Sequence, residues 1–186
     1  MERISRRSFC RTSLALFLCL ASLFPSKNAA GQSDDQSSPP VDVQSSIAES
    51  SADAVSSAAD SITESQLKRH IEFLASDTLQ GRESGMQGNY AAGAYIVDQL
   101  RKSNVPPVAM GEGYFHYFHP NFRNILAVIP GSDPQLKREF ILVGGHYDHV
   151  GFGNRTNSRG PFGVVHNGAD DNASGTAGVL EVSQAL

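Results

Sequence analysis

Cysteine is nearly absent from this chain. There are two, Cys10 and Cys19, both close to the amino terminus. If that end is removed on maturation, no disulfide and no thiolate ligand remains, and any bound metal must be held by His, Asp and Glu. Basic and aromatic residues are missing altogether from Asn28 to Leu67, a stretch of Ser, Ala, Asp and Gln with Pro39-Pro40 that is too polar to build a core. Long apolar runs are lacking as well. The run from Leu14 to Phe24 is about half the roughly 20 residues of a spanning helix, so no stable membrane span is expected. No internal repeat is present.

What the amino-terminal end does have is the order of an export signal. Arg3, Arg6, Arg7 and Arg11 precede the apolar run, and Pro25, Ala29, Ala30 and Gly31 follow it. Residues 1–31 are therefore read as a signal peptide, with delivery to the periplasm or the extracellular space. Ser5-Arg6-Arg7-Ser8-Phe9 resembles a twin-arginine signal, and it equally fits a plain basic n-region. Leu18-Cys19 lacks the small residue that precedes a lipidated cysteine. Taking away residues 1–31 removes five of 15 basic and one of 19 acidic residues, which leaves a net charge of −8. An acidic domain with no basic patch repels phosphate backbones, and nucleic acid is excluded as a partner.

Residues 32–62 read as a linker, weakly helical from Ile47. The domain proper spans 63–186. Thr63-Glu64-Ser65-Gln66 fits a capping box, with Ile62 and Leu67 placed as a hydrophobic staple. Leu67, Ile71, Leu74 and Ala75 then recur at helical spacing over Glu64–Ser76. A polar loop follows to Gly88, and a second helix is expected over Asn89–Ser103. Strands are expected at Tyr114–His119, at Asn124–Ile129 before the Pro130-Gly131 turn, and at Phe140–Gly144, a continuous apolar run that suits burial on both faces. A last helix opens near Ala173. Helices around buried strands predict an α/β layered domain.

The chemistry-bearing residues lie at two element ends. His146 follows the Phe140–Gly144 strand, where open α/β sheets bind ligands, and Asp148 is placed to hold its second ring nitrogen. Asp171 precedes the last helix, where free amides favour a carboxylate, and its two oxygens are able to bridge two cations. Each motif also has a plain structural reading: a surface ion pair for His146-Tyr147-Asp148, and N-capping for Asp170-Asp171-Asn172. His149 and His166 are read as loop histidines facing solvent, and His116 and His119 as strand residues facing water. Arg82 is expected to anchor its loop to a carboxylate.

Gly145-His146-Tyr147-Asp148-His149-Val150-Gly151 and Gly168-Ala169-Asp170-Asp171-Asn172-Ala173-Ser174-Gly175 together resemble the zinc-dependent aminopeptidase family of bacterial leucyl aminopeptidases and aminopeptidase Y, related to glutamate carboxypeptidase and the transferrin-receptor ectodomain. Leu74–Arg82 and Asn124–Ser132 are similar to the opening of that catalytic domain. The resemblance implies an α/β/α sandwich with a mixed, mainly parallel sheet. It implies two zinc ions activating a shared water for attack on the N-terminal peptide bond of a peptide or protein substrate. His146 corresponds to a terminal zinc ligand, Asp148 to the catalytic aspartate behind it, and Asp171 to the bridging carboxylate; no substrate-binding residue is assigned.

That family also uses a Glu-Glu pair, a further Asp or Glu and a final His. After Asp171 this chain has a single acidic residue, Glu181, and no histidine. Glu181 lies about ten residues along the last helix, or about 15 Å of rise, too far to act as the base. The expectation is an N-terminal portion, truncated after the second metal motif and inactive alone. The alternative is a non-catalytic remnant or a peptide- or protein-binding module of the same fold. Carboxypeptidase or cyclase chemistry on that fold remains open, as does the choice among zinc, manganese and cobalt.

Overall fold

The computed structural model describes residues 15–21, 43–108, 113–119 and 121–186. The elements in chain order are β1 (Ala15–Ala21), α1 (Val43–Ser61), α2 (Glu64–Leu74), α3 (Gln87–Lys102), β2 (Phe115–His119), β3 (Phe122–Ile129), β4 (Phe140–His146) and α4 (Ser174–Ala185). The start of α2 follows from its capping box: the Thr63 hydroxyl accepts from the Gln66 amide and the Gln66 side chain accepts from the Thr63 amide. Between α2 and α3 the chain makes a tight 3₁₀ segment, Asp77–Arg82, with Gln80 and Gly81 at positive φ. Gly81 leaves no room for a side chain, since a Cβ would lie 2.4 Å from the Gly151 carbonyl oxygen.

The four strands form one sheet in the order β2-β3-β1-β4. The sheet is mixed: β1 pairs parallel with β3, and the β1–β4 and β2–β3 pairs are antiparallel. The expectation of a mainly parallel sheet is corrected here. Residues 120–121 alone connect β2 to β3, and so short a link forces an antiparallel hairpin, whereas parallel neighbours need a long crossover. The other notable strand is β1. Ala15–Ala21 lies inside the segment read as a signal peptide, yet it holds a central place, with Leu18 opposite both Ala127 and Val143. The twin-arginine stretch and the cleavage region fall outside the described residues, as does the stretch 32–42 of the linker. The rest of the linker is mostly the helix α1. Among the described residues no helix is long and apolar enough to cross a membrane.

The core lies between the helices and one face of the sheet. Leu74 of α2, Ala92, Ile96 and Leu100 of α3, Ile125 and Ala127 of β3, and Val179 and Leu180 of α4 are buried together with Tyr147 and Ala173. Alternate residues of β3 are buried, which is the period of a strand with one covered face. β4 differs from expectation. Phe140, Ile141 and Leu142 are exposed at the start of β4, the outer strand of the described sheet, where Val143 is the residue that packs partly against the core. An apolar run does not distinguish a strand covered on both faces from one at an edge.

Candidate metal-binding site

The site forms where the carboxyl end of β4 meets the turn before α4. His146 is the last residue of β4, and its carbonyl accepts from Asn172 Nδ2 at 3.2 Å and Thr176 Oγ1 at 3.0 Å. These two contacts clamp the strand end onto the helix entrance. They also explain two small residues: Gly145 lies against Asn172 and Gly175, and a Cβ on Gly175 would come within 2.3 Å of Asn172 Oδ1.

With its backbone held, the His146 ring has an acceptor at each nitrogen. Nδ1 lies 3.3 Å from Asp148 Oδ1 and 3.2 Å from the Asp148 carbonyl. Asp148 is fixed in turn by the Ser84 hydroxyl, which donates to Oδ2 at 2.7 Å. Nε2 lies 3.1 Å from Asp171 Oδ1. Asp171 sits in the turn Ala169–Ala173 and its side chain is 67% exposed, so the carboxylate stands open to solvent at the helix entrance. Structure thus brings His146, Asp148 and Asp171 together. The Asp170-Asp171-Asn172 run does not cap α4 through a side chain, and Asn172 bonds the β4 end instead.

Arg82 supports this arrangement from below. It is wholly buried and donates to four carbonyls: Tyr147 from Nε at 2.9 Å, Asn167 from Nη1 at 2.7 Å, Gly168 from Nη2 at 2.9 Å, and Leu74 through Nη1. The expected anchoring to a carboxylate is replaced by anchoring to backbone, which ties α2, the β4 end and the Asp171 turn to one side chain. Burial pulls the guanidinium below its ordinary pKa, and the nearby Asp148 and Asp171 carboxylates act the other way. Tyr147, between His146 and Asp148, is buried with its hydroxyl on the Arg123 carbonyl at 3.1 Å, and burial pushes its pKa up to about 12.

Two loop histidines are better placed than the sequence suggested. His149 is 14% exposed, with Nδ1 3.5 Å from Asp171 Oδ2. Burial lowers its pKa, Asp171 raises it, and Arg82, His166 and His146 lower it further, which favours a neutral ring. His166 is half-buried, with Nε2 2.7 Å from the Pro161 carbonyl. His116 is exposed, as expected. The side chain of His119 falls outside the described residues. Glu181 is 2% exposed and faces His70, 2.9 Å away, so it is unavailable as a base beside Asp171.

Residues 124–186 match Peptidase family M28. The match takes in β3 from its third residue, β4, both motifs and α4, about a third of the chain. It supports a peptidase, and M28 peptidases are generally zinc-dependent. No curated protein and no solved structure matches the chain.

The donors fit that metal in kind: an imidazole whose far nitrogen is held by a carboxylate, facing an ionisable oxygen, is a zinc-type pair. They are few in number. Among the described residues, no three His, Cys, Asp or Glu side chains gather around one point.

Proposed function

We propose that this chain carries the first metal-binding half of an exported zinc aminopeptidase, acting on the N-terminal peptide bonds of peptides or proteins. The observation that carries the reading is the His146 ring, held at Nδ1 by Asp148 and facing Asp171 at Nε2, within the segment that matches M28. Asp148 fixes the tautomer, leaving the Nε2 lone pair free for a metal, and makes the ring a stronger donor. Asp171 offers an open carboxylate with two oxygens. Zinc bound in such a site polarises a carbonyl and lowers the pKa of water, with a pair of ions supporting both. His146 and Asp171 would hold it, and Asp148 acts through His146 as a positioning residue.

Catalytic zinc normally has three protein ligands. The His146–Asp171 pair supplies two, and Glu181 is turned into the helix layer. Weak zinc binding and no aminopeptidase turnover at an enzymatic rate are therefore expected of the 186-residue chain. Equilibrium dialysis against zinc tests the reading. His146→Ala should abolish measurable binding at this pair, and Asp148→Ala should weaken it about 10- to 100-fold while leaving the fold intact. Unchanged affinity in both variants would remove the metal reading. A second reading, a protein-binding module, draws on the exposed Phe140, Ile141 and Leu142 of β4. It predicts a partner whose binding is indifferent to zinc.

A further inference from the structure

Between the two motifs the chain runs through a loop, residues 149–168, in which the charged residues, histidines aside, are Arg155 and Arg159. Both are exposed, as are Phe152, Phe162 and Val164. A positive loop with three bare apolar side chains stands out on a domain whose net charge without residues 1–31 is −8. Exposed apolar groups gathered on a loop beside a candidate site mark a place where something binds.

The exposure is built into a closed loop. The Phe152 carbonyl accepts from the Gly163 amide at 2.8 Å and the Val164 amide at 3.1 Å, and the Gly151 carbonyl accepts from the His166 amide at 2.9 Å. Asn157 Nδ2 donates to the Val150 carbonyl at 3.1 Å and to Glu83 Oε1 at 3.3 Å, which ties the loop to the body of the domain. Phe152 is thus held opposite Gly163 and Val164. The Phe162 ring lies over Gly160, where a Cβ would be 3.7 Å from it.

The loop is continuous with the metal pair. His149 Nδ1 lies 3.5 Å from Asp171 Oδ2, and the His149 and His166 rings are 6.3 Å apart between centroids. His166 Nε2 in turn lies 2.7 Å from the carbonyl of Pro161, the neighbour of Phe162. An extended peptide spans at most about 3.3–3.6 Å per residue. A peptide whose first residue sits at His146 and Asp171 therefore reaches Phe162 with about its third residue.

We propose that residues 152–164 form the peptide-binding face of this site. Phe152, Phe162 and Val164 cover an apolar side chain about two residues beyond the metal-bound one, and Arg155 and Arg159 take the free carboxylate of a short peptide. The inference rests on the reading of His146 and Asp171 as a metal pair and names its substrate class: short peptides with an apolar residue beside an uncapped carboxyl end.

The probe is the peptide Ala-Ala-Phe, titrated into the zinc-loaded full chain and followed by NMR, with Ala-Ala-Ala and amidated Ala-Ala-Phe for comparison. Ala-Ala-Phe should bind about tenfold or more tighter than Ala-Ala-Ala. At low salt it should also bind about threefold tighter than its amide. Phe152→Ala and Phe162→Ala should each reduce the first preference, and Phe162→Leu should retain most of it. Arg155→Gln with Arg159→Gln should abolish the second. Urea midpoints near that of the wild type show that these exposed substitutions fold. Equal affinities for Ala-Ala-Phe and Ala-Ala-Ala, no binding of any of the three, or preferences that survive in all of these variants would overturn the proposal. If zinc binding still depends on His146 in that case, the metal reading stands and the loop assignment alone falls. A wild type that takes up no zinc would overturn both.

Discussion

Arg82 shows how much of the site depends on one side chain outside it. Its guanidinium satisfies carbonyls from α2, from Tyr147 and from the turn carrying Asp171. Arg82→Met removes all of these donors and leaves buried acceptors unpaired, at about 1–3 kcal/mol each. A loss of about 3 kcal/mol or more in urea unfolding is expected, together with weaker zinc binding, because the Asp171 turn loses its tether. His70 makes a different kind of contribution. Burial lowers its pKa below the ordinary value of 6.5, Glu181 opposes the shift, and Arg69 adds to it. Between 6.5 and the lower folded-state value the unfolded chain binds more protons than the folded one, so stability drops as pH is lowered through that window and levels off below it. Urea midpoints measured from about pH 7 to about pH 5 should show this slope, and His70→Gln should flatten it. The sequence made His146, Asp148 and Asp171 legible because each sits at a fixed offset from an element end. Arg82, Ser84, Asn172, Thr176 and His149 were not legible as site residues. Their contacts depend on where separate loops fold, and the only local sign was the density of glycines that let those loops approach.

At the scale of elements, helices were read well and strand surroundings poorly. The α2 cap and the 3.6-residue apolar period are local signals, and Glu64–Leu74 and Gln87–Lys102 follow from them within two residues at each end. Strand burial is not local. The same apolar character in β4 suits a covered strand or an exposed one, and the run in β1 suits a leader or a central strand. Pairing of β1 with β3 and β4 leads to a direct prediction. In the full chain, amides of residues 16–20 should exchange slowly with solvent, and Leu18→Pro, which removes a ladder donor from a central strand, should destabilise the protein by about 3 kcal/mol or more. Fast exchange at these residues would contradict the pairing.

For the whole molecule, the seat of β1 bears on how the amino-terminal segment is read. If residues 1–31 are removed, β3 and β4 are left about 9–10 Å apart, two strand spacings, and cannot bond each other directly. A removable signal and this sheet would place competing demands on one segment, a conflict invisible in the sequence because each reading of Leu14–Phe24 is locally sound. The side chains of the metal-binding reading, His146, Asp148 and Asp171, lie outside that segment, and the reading meets it at one point, where His146 pairs with Ala15 of β1. Its most direct test is the zinc X-ray absorption spectrum of the zinc-loaded full chain, compared with that of His146→Ala. The account predicts a shell of nitrogen and oxygen with an imidazole component that diminishes in the variant, and no sulfur from Cys10 or Cys19. A sulfur shell, or an imidazole component unchanged in His146→Ala, would contradict it.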